Sequence, residues 1–197
     1  MKVVSLEKDF NLIELSINSV MDKSKILPEN VFREAFKYFL FITFDELLMT
    51  LFFNHLKRYL IDIGEKGFWL AVIDPDSKSY FSTHFNFFGA FEFSSADDED
   101  DYVSALNDYP EDSPADALMH NSNSLIVSSF TNKWAVFGNR EADIAICAFS
   151  DRAYWELFRS SYGSDLLNGI KAAAKYAYGA SGKNSQKEKF CKSYSLG

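Results

Sequence analysis

The fold class is decided by residues 43–73, TFDELLMTLFFNHLKRYLIDIGEKGFWLAVI, because the spacing of the hydrophobic residues changes there from that of a helix to that of a buried strand. Thr43 and Glu46 have the spacing of a capping box, in which each side chain satisfies a backbone amide at the start of a helix. The following apolar residues recur at helical spacing as far as Gly64, which can end a helix in a left-handed conformation. The apolar residues then become continuous, which predicts a buried strand over 68–73.

Two more helices are predicted upstream of this stretch. Apolar residues recur at helical spacing from Leu6 to Val20, behind Ser5, a residue type that caps helices. Pro28 suits the first turn of the next helix, because its missing amide proton is not needed there. The apolar face of that second helix is predicted to comprise Phe32, Ala35, Phe36, Phe39 and Leu40.

Strands are predicted in the middle of the chain and helices at its end. The predicted strands are 80–87, a short segment with Phe91 and Phe93 that resumes after Gly89, and then 125–130, 134–137 and 142–149. Ser150 and Ser164 are predicted to cap two closing helices, the second of which ends at Gly179.

Helices that both precede and follow the strands favour an α+β fold. We expect an antiparallel sheet of about five to six strands with N-terminal and C-terminal helices packed on one face of it. A chain of 197 residues suits a single domain, which we place at 1–179. Residues 180–197 are polar, contain lysines and lack periodicity, which predicts a flexible polar tail.

The net charge of −8 is concentrated in one acidic segment, residues 92–116. This segment contains ten carboxylates and no lysine or arginine, and removing its ten negative charges from −8 leaves +2 for the rest of the chain. Such an asymmetry disfavours nucleic acid as a partner and favours a basic protein. We expect a long loop with one helical turn at 102–106, and loops of this length usually carry a function or are disordered.

The run Asp97-Asp98-Glu99-Asp100-Asp101 has three interpretations: a solvated loop, a divalent-cation site or a protein-binding face. Tyrosines lie in the same segment, and tyrosines in charged surroundings are common anchors of interfaces. The residues predicted to bind a partner under the third interpretation are Asp97, Asp98, Glu99, Asp100, Asp101, Tyr102, Asp108, Tyr109, Glu111, Asp112 and Asp116.

The sequence contains no recognisable catalytic, metal-binding or cofactor-binding motif. His55 lies on the apolar face of its predicted helix, where a hydrogen-bonded core histidine is expected. His84 falls on the polar face of a predicted strand, and His120 falls in a predicted loop. We see neither a secretory signal nor an apolar stretch long enough to span a membrane. We therefore expect a cytoplasmic protein without a cofactor or a metal.

Residues 134–146, WAVFGNREADIAI, contain a tryptophan strand, a Gly-polar-Arg turn and an acidic-aliphatic strand in succession. This pattern resembles a strand–turn–strand signature of small bacterial immunity proteins from polymorphic-toxin and contact-dependent growth inhibition systems. The resemblance implies a cytoplasmic, non-enzymatic inhibitor of one cognate toxin, and it assigns no binding residues. Structural roles explain the same residues equally well: Trp134 in the core, Gly138 in the turn and Arg140 in a local pair.

These observations support the hypothesis of an immunity protein that occludes the active site of a toxin domain, such as a nuclease, with the acidic segment as part of its binding face. The alternatives are a small hydrolase with a site assembled around His84 or His120, and an adaptor protein with an acidic loop. Gene context separates them, because an immunity gene is expected directly downstream of a large toxin gene.

Overall fold

A seven-stranded antiparallel sheet runs through the computed structural model, which describes residues 1–108, 113–163, 166–179 and 184–195. The order of the strands across the sheet is β1-β4-β3-β5-β6-β7-β2, so the two strands nearest the N-terminus form its two edges. The strands are β1 (Lys2–Val3), β2 (Tyr38–Thr43), β3 (Gly67–Asp74), β4 (Ala90–Ser94), β5 (Ser124–Ser129), β6 (Trp134–Asn139) and β7 (Ile144–Phe149).

Helices occupy the connections between these strands and the C-terminal part of the chain. The α-helices are α1 (Glu7–Val20), α2 (Phe44–Leu47), α3 (Thr50–Ile63), α4 (Thr83–Phe85), α5 (Glu99–Asn107), α6 (Leu118–Asn121), α7 (Arg152–Tyr162), α8 (Ile170–Tyr178) and α9 (Asn184–Ser193). A π-helix, Ser77–Ser82, precedes α4, and a 3₁₀ turn, Pro114–Asp116, precedes α6. The architecture is therefore α+β, as the element order predicted.

The sheet separates two hydrophobic cores, one on each face. Leu125 and Val127 of β5 belong to the core that contains the apolar residues of α3, α5 and α7, which we call the first core. Ile126 belongs to the second core, with the apolar residues of α1, α8 and α9. The prediction that helices cover one face is therefore wrong: both faces are covered, and strands buried on both faces lose the alternating pattern that would reveal their orientation.

The helix predicted after Pro28 does not form. Among the described residues, the chain between α1 and β2 contains no helix, and Met21 and Phe32 form an isolated bridge there. Phe39 and Leu40 belong to β2, where they enter the second and the first core respectively. Tertiary burial on both sides of an edge strand therefore overrides the apparent helical spacing.

The strand predicted over 80–87 is also wrong, because the chain is helical as far as Phe85. The carboxylate of Asp76 accepts hydrogen bonds from the amides of Lys78 and Ser79, at 3.1 and 2.8 Å, and so begins the helical turns. Gly89 has a φ of +54° and leads into β4, where Phe91 and Phe93 resume the strand as predicted.

The helix that begins at Thr43 is confirmed at both ends but is interrupted. The capping box between Thr43 and Glu46 is present, and Gly64 ends α3 in the left-handed conformation. Between these caps, α2 ends at Leu47 and α3 begins at Thr50.

The closing helices also differ in their ends from the prediction. Asp151, rather than Ser150, caps α7 by accepting a hydrogen bond from the amide of Ala153 at 2.7 Å. The second closing helix, α8, follows Gly169 and ends before Gly179, whereas Ser164 lies outside the described residues.

The expected flexible tail over 180–197 is, in its described part, a packed helix. Helix α9 buries Phe190 completely, and Tyr194 beyond it is also buried. The hydroxyl of Tyr194 donates to the carbonyl of Glu29 at 2.7 Å and accepts from the amide of Val31 at 3.2 Å. Two buried aromatic side chains therefore pack this polar segment, which shows no apolar periodicity, onto the second core.

Candidate functional site

The acidic run begins a helix instead of forming a loop. The carboxylate of Asp98 accepts hydrogen bonds from the amides of Asp100 and Asp101, at 3.0 and 3.1 Å, and the Asp101 carboxylate accepts one from the amide of Asp98 at 3.1 Å. Negative charges in a first turn also interact favourably with the positive end of the helix dipole. Part of the acidic run is therefore explained by the need to start α5.

Asp97 is partly buried and its carboxylate is occupied by contacts within the fold. Its carboxylate forms an ion pair with the amine of Met1 and accepts a hydrogen bond from the amide of Ser94 at 2.6 Å. Burial alone would raise the pKa of Asp97, but these hydrogen bonds lower it overall. Asp101 lies 3.8 Å from the same amine. These two carboxylates are thus not available as unpaired charges.

Glu99 and Asp100 face outward on the first turn of α5. Both are exposed, and no ion pair joins either of them to a lysine or arginine in the part of the chain that the structure describes. The side-chain amide of Asn54 on α3 donates to Glu99 at 2.9 Å. The start of α5 therefore presents the outward carboxylates of Glu99 and Asp100, with the exposed Asp98 beside them, and the amine of Lys57 lies at the Asp97 carbonyl just before this turn.

Tyr102 was predicted to be an exposed anchor, and this prediction is wrong. Its side chain is completely buried, its ring stacks on that of Phe53 at 5.1 Å, and its hydroxyl donates to the carbonyl of Leu47 at 2.6 Å. Tyr102 therefore fixes α5 against α2 and α3. Tyr109, Glu111 and Asp112 of the prediction lie outside the described residues.

The remaining described carboxylates of the acidic segment lie away from the start of α5. Asp116 accepts hydrogen bonds from Ser113, from Tyr80 at 2.6 Å and from Asn121 at 3.0 Å, and the first two lower its pKa. Glu92 on β4 lies 3.6 Å from the Lys2 amine. Asp108 is exposed at the opposite end of α5.

The described carboxylates therefore divide among several places and do not form the single acidic face that the segment predicted.

A groove between α3 and α5 combines exposed carboxylates with exposed apolar side chains. It has a volume of about 600 Å³, and we call it the α3–α5 groove; it is lined by Leu51, Phe53, Asn54, His55, Lys57, Arg58, Ile61, Asp98 and Glu99. The side-chain amide of Asn54 donates to Glu99 and the amine of Lys57 donates to the Asp97 carbonyl, so the start of α5 lies against the middle of α3. Helical spacing places Leu51 on the apolar face of residues 43–64 and does not single out Ile61, yet 46% of Leu51 and 68% of Ile61 are exposed.

The described contacts of His55 and His84 differ from those of a catalytic triad. His55 is buried, and its Nδ1 lies 2.7 Å from the carbonyl oxygen of Ser161, as expected for a core histidine. The ring centroid of His84 lies 5.4 Å from that of Tyr80. In a triad the histidine stands between the serine and the carboxylate, whereas here Ser113 donates directly to Asp116. No group of three histidine, cysteine or carboxylate side chains among the described residues has the arrangement of a metal site.

The residues that carry the resemblance to immunity proteins have structural contacts. Trp134 is completely buried and donates to Glu65 at 3.0 Å. Arg140 donates to the carbonyls of Ser122 and Met119, at 2.8 and 2.6 Å. Gly138 lies within β6 and not in the turn.

A Cβ atom at Gly138 would come within 2.5 Å of the side chain of Leu47, so a larger residue at this position requires Leu47 to move.

Comparison of the chain with protein-family models, with curated proteins and with solved structures finds no significant match in any of the three. Among the described residues, no helix is long and apolar enough to cross a lipid bilayer.

Proposed function

We propose that this chain is an immunity protein that acts in the bacterial cytoplasm, where it binds one cognate toxin domain and occludes its active site. The observation that carries the proposal is the exposed start of α5, where Glu99 and Asp100 present outward carboxylates beside the α3–α5 groove, whose lining includes the exposed side chains of Leu51 and Ile61. The resemblance of residues 134–146 to immunity proteins points to the same function.

The charge on this surface favours a basic partner. The chain has a net charge of −8, and Glu99 and Asp100 present carboxylates that lack an ion-pair partner among the described residues. Opposite potentials on two proteins accelerate their encounter and disfavour wrong partners. A toxin with a basic active-site cleft, such as a nuclease, has the complementary charge.

The rigidity of α5 suits it to recognition. Its start is fixed by the Asp98–Asp101 capping box, and its buried face is fixed by Tyr102, Ala105 and Leu106. A surface that is already ordered before binding loses little conformational entropy in the complex. We therefore expect the carboxylates of α5 to act from a preorganised helix.

The test is the association rate with the polypeptide encoded directly upstream, measured by biolayer interferometry at low and high salt. The double variant Glu99→Gln/Asp100→Asn retains the helix and the Asn54 hydrogen-bond acceptor but removes two charges. We expect association to slow by about ten-fold at low salt, the lower end of the range for electrostatic steering. At 1 M salt, where the screening length is about 3 Å, the difference should vanish.

The matched control is Glu34→Gln/Glu188→Gln, which removes the same charge from exposed residues on the side of the second core. Equal effects of the two double variants would show that only net charge matters, and would contradict recognition by α5. Absence of binding by the wild-type chain would contradict the proposed function itself. Hydrolytic turnover by the isolated chain that His84→Ala or His120→Ala abolishes would favour the hydrolase alternative.

A further inference from the structure

A second pocket, with a volume of about 560 Å³, lies beside the edge strand β2. We call it the β2-edge pocket; it is lined by residues 39–41, 166–170 and 194–195 together with Trp155, Arg159 and Gly163. Small-molecule sites have volumes of this order and are mostly apolar, with a few polar groups that fix the orientation of the ligand. The polar groups of this pocket therefore indicate what it can bind.

The outer edge of β2 supplies hydrogen-bond donors to the pocket. The carbonyls of Phe39 and Phe41 point away from β7, because they accept from the indole nitrogen of Trp155 at 3.1 Å and from the amide of Leu167 at 2.8 Å. In an extended strand the amide and the carbonyl of one residue point to the same side, so the amides of Phe39 and Phe41 also face this edge. Neither amide has an acceptor among the described residues, although the two residues are only 8% and 3% exposed.

These two amides need an acceptor from outside the described chain. A backbone amide that is buried without a partner costs free energy comparable to a lost hydrogen bond. An added β-strand is a poor partner, because it would also have to donate to the carbonyls of Phe39 and Phe41, which already accept other hydrogen bonds. The edge of β2 therefore favours a ligand that accepts hydrogen bonds without donating them.

Arg159 is the one charged side chain among the described residues that line the pocket. Its guanidinium lies over the ring of Trp155, 5.3 Å from the centroid, and no ion pair joins it to a carboxylate in the part of the chain that the structure describes. A guanidinium presents parallel donors that match the two oxygens of a carboxylate. The pocket thus combines apolar walls with a single cation and two amide donors.

We infer that the β2-edge pocket binds a small monocarboxylate with an apolar body, such as an arylalkanoic acid. The carboxylate accepts hydrogen bonds from the Arg159 guanidinium and from an amide of β2, and the apolar body contacts Trp155 and Leu166. A neutral apolar ligand would leave the amides and the guanidinium without an acceptor. A ligand with several negative charges would exceed the single cation of the described lining.

The probe is hydrocinnamate, titrated into the full chain and followed by nitrogen-15 NMR. We expect saturable binding with a dissociation constant below about 1 mM. The resonances that should shift are the backbone amides of Phe39 and Phe41 and the indole amine of Trp155, because these groups line the pocket.

Two control ligands separate the charge of the probe from its apolar body. Hydrocinnamamide has the same body without the charge, and it should bind at least about ten-fold more weakly, since hydrogen bonds to a charged group are roughly twice as strong as neutral ones. Acetate has the charge without the body, and it should also bind at least about ten-fold more weakly, because it buries little apolar surface.

The variant Arg159→Gln should weaken binding of hydrocinnamate by at least about ten-fold, with a much smaller effect on hydrocinnamamide, because only the acid uses the charge. Arg159→Lys retains the charge and should restore part of the affinity. The matched control is Arg152→Gln, which removes the same charge from an exposed position of α7 outside the pocket and should leave the affinity unchanged.

The inference is independent of the proposed function, because the β2-edge pocket and the α3–α5 groove share no lining residue. Four results would each overturn it: no saturable binding of hydrocinnamate, equal affinity for the acid and the amide, equal weakening by Arg159→Gln and Arg152→Gln, or shifts that leave out Phe39 and Phe41. The comparison of ligands uses the wild-type chain, so it tests the inference even if a variant fails to fold.

Discussion

The substitution Phe190→Ala is expected to destabilise the whole domain, because α9 is part of its core. Phe190 is completely buried, and its ring lies 4.9 Å from that of Tyr194 and 5.7 Å from those of Phe41 and Tyr178. Removing a buried phenylalanine side chain typically costs about 3–5 kcal/mol. In a chain of this size each kcal/mol lowers the melting temperature by about 2–4 °C, so the expected decrease is about 6–20 °C.

Urea unfolding followed by tryptophan fluorescence gives the free energy of unfolding, and a thermal melt gives the melting temperature. Lys192→Ala is the matched control, because Lys192 lies on the same helix and is exposed. The control should change the free energy of unfolding by less than about 0.5 kcal/mol. A loss as small as this for Phe190→Ala would refute the packing of α9 and restore the flexible tail predicted from sequence.

Three further substitutions test the internal contacts. Gly138→Ala should lower the free energy of unfolding by about 1–3 kcal/mol, because the new methyl group overlaps Leu47; an unchanged urea midpoint would contradict this. Tyr102→Phe should cost about 1–2 kcal/mol, because the Leu47 carbonyl loses its hydrogen bond, yet it should leave partner dissociation unchanged; faster dissociation would contradict the buried role. Tyr80→Phe should raise the pKa of Asp116 in a carbon-13 NMR titration. Because the folded-state pKa of Asp116 is lowered, the ionised carboxylate stabilises the fold above the ordinary aspartate pKa of about 3.9, and this stabilisation is lost as pH falls through the folded-state pKa. The variant should therefore have a lower free energy of unfolding than the wild type at pH 7, but not at strongly acidic pH.

The parts of the fold that were predicted correctly are those with strong local signals. The capping box at Thr43 and the left-handed cap at Gly64 require particular residue types at particular positions. The strands that became β3, β5, β6 and β7 are continuous apolar runs bounded by turn residues. Neither signal depends on the rest of the chain.

The incorrect predictions arise where burial depends on distant partners. The edge strand β2 contains apolar residues at positions that also fit a helix, and pairing with β7 decides between the two. In residues 80–87 the alternation of aromatic and polar residues fits a strand, but Asp76 begins helical turns just before it. Local periodicity alone does not distinguish these alternatives.

The sequence predicted which residues of the candidate site are acidic, but not where their side chains lie in the fold. The acidic residues were recognised, but their division into helix caps, internal ion pairs and outward charges depends on where Met1 and Tyr80 lie in space. Tyr102 was assigned to the surface because its sequence neighbours are charged. Leu51 and Ile61 remain exposed because the described chain places nothing over that face of α3, which their own sequence does not reveal.

The most direct test of the proposed function is a titration of the toxin domain encoded directly upstream with the purified chain, followed both by calorimetry and by toxin activity. We expect a complex of one to one stoichiometry with a dissociation constant of about 1 nM or tighter, as in other inhibitors that block an active site, and complete loss of toxin activity at equimolar concentration. No heat of binding at micromolar concentrations, with toxin activity unchanged, would contradict the function proposed for this protein.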